Sequence, residues 1–268
     1  MAEPVGQAEG EFGDRVNFLV HAKSTKVKNA KGAKGSFAFF AQSYIALRET
    51  TTSSFMDFYY KEELIQLLPE KVAFLPQHQM LVVADIHLGK ASHFRKEGIM
   101  IPMPPACPDL KCLGELFDAL NPTTVVFLGD LFHSSLNHEW GNLQDFLCAY
   151  PDIRFVLTKG NHDILPSSVM KDSCIEVVSE LEVGGRLILS HEPLMEVQEE
   201  KLNIVGHIHP GILIKTKGRQ SFRLPCFYHK GQCLILPAFG QLTGLHILKK
   251  AANTRIYPVL LDEVIELS

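Results

Sequence analysis

The chain has 268 residues, 46 % of them hydrophobic and 21 % charged, with a formal net charge of −4. This length and balance fit one large globular domain, or a domain with an appendage, around a single sizeable core. They exclude the global basic field that announces a nucleic-acid binder, though not a local basic groove.

Residues 1–55 differ in character from residues 56–268. Between residues 21 and 35 stand Lys23, Lys26, Lys28, Lys31 and Lys34, with no acid and with Gly, Ala, Ser and Thr between them. Such a segment buries little, so residues 1–55 are expected to be a disordered basic N-terminal extension. It reads as a tail, or as translated upstream sequence with Met56 as the start, rather than as an arm on nucleic acid. Within it, "FAFFAQSYIALR" is short, is broken by Gln42 and Ser43, and lies too far from Met1 for a secretory signal. No apolar run reaches the length that crosses a bilayer, so no membrane association is expected. The six cysteines, Cys107, Cys112, Cys148, Cys174, Cys226 and Cys233, form no C-x-x-C pair. Several sit among apolar residues and are expected to be reduced and mostly buried, which points to a cytoplasmic protein.

The stretch 56–268 is expected to be one domain, with "MDFYYKEELIQLLPEK" as its edge. From about residue 62 short β-branched runs recur: "MLVVAD", "TTVVFLGD", "IRFVLTKGN" and "RLILSH" each read as a buried strand. Between them, "DLKCLGELFDAL" sets Leu110, Leu113, Leu116, Phe117 and Leu120 on one helical face, with Asp109 as the expected cap. "HEWGNLQDFLCAY" reads as a second helix. This alternation implies crossover connections and an α/β fold. After residue 181 strands dominate: "KLNIVGH", "GILIKTK", "SFRLPCFYH", "CLILPA" and "LHILK" predict a second, more antiparallel sheet.

The strand ends carry the chemistry. The first delivers Asp85 and His87, the second Gly129 and Asp130, the third Gly160, Asn161 and His162. Later strands deliver His191, then His207 and His209. Ligands of α/β sheets gather beyond the carboxyl ends of strands, so these clusters are steered to one rim. Asp, His and Asn without thiolate suit manganese, iron or zinc better than calcium or an all-sulfur site. Asp85 and His87, two apart, can face one ion, and a carboxylate such as Asp130 can bridge two. Two ions about 3.5–4 Å apart can clamp a phosphate and activate a water. Each motif alone is weak; the ordered set D-x-H, G-D, G-N-H-D, H, G-H-x-H is specific.

That set resembles the calcineurin-like metallophosphoesterases. The words "DIHLGKASHFRKEGIMIP", "GDLFHS", "KGNHDIL", "SHEP", "GHIHPG", "GRQSFRLPCF" and "LPAFGQLTG" are further similar to the bacterial ligase-associated metallophosphoesterases, described as DNA endonucleases or phosphodiesterases linked to DNA repair. The resemblance runs from about residue 62 to about 260 and leaves the first 55 residues uncovered. It implies a four-layer α/β/β/α sandwich of two mixed sheets flanked by helices, with two divalent ions, manganese first and iron or zinc as alternatives. By motif position, Asp85, His87 and His209 would hold one metal, and Asn161, His191 and His207 the other, with Asp130 between them. His162 would face the scissile phosphate, oriented by Asp163. His133 stands where an acid often follows G-D-x-x, and reads as a neighbour of the ligands.

Arg95, beside Lys96, and Arg219 and Arg223 are candidate contacts to a substrate's phosphates, because the guanidinium is a planar fork for such oxygens. The expected activity is metal-dependent hydrolysis of phosphodiesters, with DNA (single strands or flaps) as substrate and a ligase/helicase repair module as setting. The rivals are a phosphodiesterase or pyrophosphatase on a small nucleotide, and a non-catalytic scaffold.

Overall fold

The computed structural model describes residues 54–90, 107–132, 138–161, 163, 173–215 and 220–267. The expected extension lies almost wholly outside these residues, as do Arg95, His133, His162 and Arg219. Among the described residues, pairing starts just ahead of Met56: Ser54 donates its N–H to Asp262 O and accepts from Val264 N.

Two mixed sheets carry the described chain. The first has seven strands in sequence order: β1 (Met56–Tyr60), β2 (Glu63–Leu67), β3 (Val72–Leu75), β4 (Met80–Ala84), β5 (Thr124–Leu128), β6 (Arg154–Thr158) and β7 (Ile175–Val178). β1 to β4 pair antiparallel and β4 to β7 parallel. The parallel half needs crossovers, which α1 (Pro108–Leu120) and α2 (His138–Cys148) supply after β4 and β5. The second sheet holds β8 (Glu180–Val183), β9 (Leu187–Ser190), β10 (Leu202–Val205), β11 (Pro210–Lys215), β12 (Ser221–Lys230), β13 (Cys233–Ile235) and β14 (His246–Ile247), with β15 (Thr254–Pro258) against β12. Its antiparallel character is as expected except at its centre, where β9, β10 and β13 run parallel, and at one edge, where β14 pairs parallel with β11.

Strand alternation sorts the apolar residues into layers. Val82, Ala84, Val126, Leu128 and Val156 face Leu189, Ile204, Phe227 and Leu234 of the other sheet, all fully buried. Their neighbours Leu81, Val83, Val125, Phe127 and Leu157 face the opposite way, onto Leu113, Leu116, Phe117 and Leu143 of the two helices. Each side chain of this kind contributes about 1.5–3 kcal/mol by leaving water. The central strands are therefore apolar on both faces, and their polar residues can only lie at the ends.

Two local expectations need correction. Asp109 is not the cap of α1: Cys107 holds that position without a side-chain bond, and Pro108 opens the helix, its fixed φ suited to the first turn. Nor are the cysteines mostly buried. Cys107, Cys148 and Cys174 are exposed, Cys112 and Cys233 are half-buried, and only Cys226 is buried. In "FLCAY" Phe146, Leu147 and Tyr150 pack on the core, while Cys148 and Ala149 turn to solvent.

Candidate metal centre

Five parallel strands discharge at one rim: β4, β5 and β6 of the first sheet, β9 and β10 of the second. Each run of core residues stops and the nominated polar groups follow within one to four residues. The chain turns sharply there. Asp85, His87, Asp130, His207 and His209 all have left-handed backbones, with φ of 52°, 53°, 47°, 64° and 52°. Such conformations cost of order 1–3 kcal/mol each outside glycine, and persist where the surroundings over-determine them. Space is equally short. A Cβ on Gly129, itself at φ +68°, would lie 2.2 Å from His191 Nδ1, and one on Gly160 would lie 2.3 Å from Asp130 N.

Two groups of donors result. In one, the ligand atoms of Asp85, His87 and His209 lie within 4.8 Å of one another; in the other, those of Asp130, His191 and His207 do. In the first, His87 Nε2 stands 3.3 Å from His209 Nε2, and Asp85 Oδ1 3.5 Å from His209 Nε2. In the second, His191 Nε2 stands 3.1 Å from His207 Nδ1 and 3.5 Å from Asp130 Oδ1. Asp130 faces both: its other oxygen, Oδ2, lies 3.9 Å from His87 Nε2.

The hydrogen bonds leave the right atoms for a cation. The Nδ1–H of His191 donates to Leu128 O at 2.9 Å, so the lone pair of Nε2 points into the second group. Asp85 Oδ2 accepts His207 N–H at 2.9 Å. Asp85 Oδ1, fully buried, has no hydrogen-bond partner among the described residues. A buried carboxylate oxygen without a donor is costly, and a divalent ion between it and the imidazoles removes that cost. The donor set and this orphaned oxygen fit divalent metal.

Asn161 is exposed and is linked to the second group through Glu192. Its Nδ2 donates to Glu192 Oε1 at 2.6 Å, and the same oxygen lies 3.9 Å from His207 Nε2. Glu192 thus turns the carboxamide so that its nitrogen faces outward. Glu192→Ala should weaken metal binding about tenfold, the usual scale for a residue that orients a ligand, while Glu192→Gln should keep most of it. Calorimetric manganese titration of the two variants checks this, and equal losses would show that Glu192 acts by charge alone.

Asp163 is buried and accepts three backbone N–H groups: Gly160 at 2.9 Å, Leu131 at 2.9 Å and Phe132 at 3.4 Å. Burial raises its pKa, and these bonds oppose the rise. It ties the loop after β5 to the loop after β6; the imidazole that it is expected to orient lies outside the described residues. Arg223 is exposed on β12 opposite Leu213, three residues along β11 from Pro210, or roughly 10 Å of strand from the rim. The structure does not bring it to the two groups.

Sequence reading missed four neighbours of the site. Glu192 follows a nominated ligand directly, which is its only signal. Asn203, buried on β10, donates to Ile188 O and Ser190 Oγ and accepts Leu194 N–H, bracing the loop that carries His191. Lys90 faces the carboxylates; burial lowers its pKa while the charges of Asp130 and Asp85 raise it. Lys71 reaches from the β2–β3 turn to Ala238 O at 2.8 Å and Phe239 O at 2.5 Å. That matters because Phe239 N and Gly240 N donate to Ala84 O and Asp85 O, the end of β4.

Residues 78–211 match the family model of the calcineurin-like phosphoesterases. No curated protein matches the chain. Among solved structures, the nuclease MPE of Pseudomonas putida is 26 % identical, with a TM-score of 0.63 over 80 % of this chain and 100 % of its own. Yfce, a phosphoesterase from E. coli, is 14 % identical with a TM-score of 0.36, over 66 % of this chain and 86 % of its own. AQ665 from Aquifex aeolicus, of unknown function, is 22 % identical with a TM-score of 0.35, over 48 % and 78 %.

Proposed function

The chain belongs to the calcineurin-like phosphoesterases, a family that hydrolyses phosphoester bonds with divalent metals, and from that premise we propose that it is a manganese-dependent phosphodiesterase acting on single-stranded or flap DNA. The observation that carries the two-metal reading is Asp130, whose two oxygens face different donor groups. The likeness to a nuclease over the whole of that protein's length supports a nucleic acid as substrate. A repair setting beside a ligase or helicase, in the cytoplasm, belongs to the same proposal. No helix among the described residues is long and apolar enough to cross a membrane.

Asp85, His87 and His209 would hold one ion, His191, His207 and Asn161 the other, and Asp130 both. Bound there, the ions supply Lewis-acid charge for phosphate oxygens and lower the pKa of a water. The chain's own part is to fix the donors before substrate arrives. The rigid left-handed turns, the His191–Leu128 bond and the Asp163 staple do this without reorganisation during reaction. The exposed side, with Asn161 and His207, is where a phosphodiester enters. His162, next to Asn161, gives its proton to the leaving ester oxygen.

His162→Asn should therefore keep its metal but lose activity, by about 10²-fold on a DNA diester and by less where the leaving group is p-nitrophenolate, which needs little protonation. Loss of metal from that variant would make His162 a ligand instead. The proposal as a whole is tested by supplying manganese, iron or zinc and comparing hydrolysis of single-stranded DNA, flap DNA, cyclic nucleotides and nucleotide diphosphates. Preference for a small nucleotide would replace DNA as the substrate, and failure to hydrolyse bis-p-nitrophenyl phosphate with any metal would leave a scaffold.

A further inference from the structure

Cys148 ends α2, and Cys174 stands one residue before β7, an edge strand of the first sheet. Both are exposed, and their sulfurs lie 3.2 Å apart. The proposed hydrolysis uses neither thiol. The contrast with Cys226 and Cys233 is chemical as well as spatial, since burial pushes those thiols up to about 12 and about 11 and keeps them inert. We propose that Cys148 and Cys174 are a dithiol pair that small-molecule disulfides convert reversibly into a disulfide, tying the end of α2 to the entry of β7.

A covalent S–S bond is about 2.05 Å long, so the sulfurs must close by about 1 Å, a change within the rotamer freedom of two exposed side chains. The hydrogen bond shared with Cys174 is the largest cause raising the Cys148 pKa. One thiolate of the pair attacks one sulfur of R–S–S–R, forming a mixed disulfide and releasing one thiolate. The second protein thiol then gives its proton to solvent and attacks the protein sulfur of that mixed disulfide, releasing the second. Two protein thiols are oxidised, and one small disulfide is reduced to two thiols. The closed segment spans β6 together with Asn161 and Asp163, so the bond braces the chain on which part of the candidate centre is built. By restricting the unfolded chain it also stabilises the fold. None of this depends on which phosphodiester the centre hydrolyses.

The test is equilibration of the reduced full chain, freed of metal, in a series of oxidised-to-reduced glutathione ratios, with thiol titration, peptide mass mapping and thermal melting as readouts. The expected result is loss of two of the six free thiols. A crosslinked Cys148–Cys174 peptide and a Tm raised by several degrees accompany it, both reversed by dithiothreitol. Cys148→Ser and Cys174→Ser should each abolish the Tm shift and retain a glutathione adduct at the remaining cysteine. Adducts on both residues of the unaltered chain without a crosslink, a bond to any other cysteine, a disulfide between two chains, or unchanged thiols under oxidised glutathione alone would each overturn the pairing.

Discussion

Asp130→Asn is expected to cut metal-dependent hydrolysis of bis-p-nitrophenyl phosphate by roughly 10³-fold or more, a loss of about 4 kcal/mol of transition-state stabilisation. The substitution keeps the size of the side chain and removes its charge. It also replaces one acceptor oxygen by an NH₂, which must point at one of the two donor groups whichever way the amide turns. Because Asp130 Oδ1 faces His191 and Oδ2 faces His87, no rotamer spares both. The site offers little room to adjust: Asp130 is 3 % exposed, and Gly160 lies against its backbone. Elemental analysis should show fewer bound ions per chain, while the metal-free fold melts close to the unaltered protein. An equivalent variant at an exposed position such as Glu192 should do far less. Full turnover in Asp130→Asn, or an unchanged metal content, would remove Asp130 from its bridging position and with it the pairing of the two centres.

The candidate centre is legible in the sequence because the central strands leave its residues few other places. β4, β5 and β6 are apolar on both faces, so Asp85, Asp130 and Asn161 are forced to the ends, and parallel pairing puts those ends side by side. The buried strands are readable in short apolar runs such as "MLVVA" or "RFVLT", and the crossover helix α1 in the spacing of Leu113, Leu116 and Phe117. The β1–β2 hairpin escaped that reading. Its register, Tyr60 opposite Glu63, leaves Lys61 and Glu62 as the turn, and Lys61 adopts φ 55° without the Gly or Asn that usually marks such a position. β7 and β8 escaped for another reason: they are edge strands of four residues, partly exposed on both faces, and carry no alternation to read. Residues that act through the backbone were equally silent. Asn203 and Lys71 do their work on carbonyls and amides far away in sequence, and no motif records which carbonyl an amide or an ammonium will meet. Asp109 shows the limit from the other side. Its position favoured a cap, yet the carboxylate faces Lys71 and the Gln241 N–H instead.

That pairing yields the second large effect. Lys71→Met should destabilise the fold by about 3 kcal/mol at pH 8 and by only about 1–2 kcal/mol at pH 5. Desolvation raises the Asp109 carboxyl from its ordinary value to about 6, and the Lys71 charge is the first force holding it from rising further. A carboxyl raised in the native state binds its proton more tightly there than in the unfolded chain, so its contribution to stability falls as pH rises from about 4 to about 6. Without the ammonium the native pKa moves above 6, and the window of falling stability extends upward with it. At pH 8 the variant must therefore hold a partly buried carboxylate without its cation. At pH 5 that carboxyl is protonated and the main remaining cost is the loss of two hydrogen bonds, to Ala238 O and Phe239 O. Urea unfolding of the metal-free proteins at the two pH values measures the difference. Equal losses at pH 5 and pH 8 would mean that Lys71 contributes through its carbonyl contacts alone. The metal centre should register the same change, since the segment released from Lys71 is the one whose Gly240 N–H holds Asp85 O. A variant that lost stability with the predicted pH dependence but kept full manganese affinity would show that β4 fixes Asp85 without help from that segment.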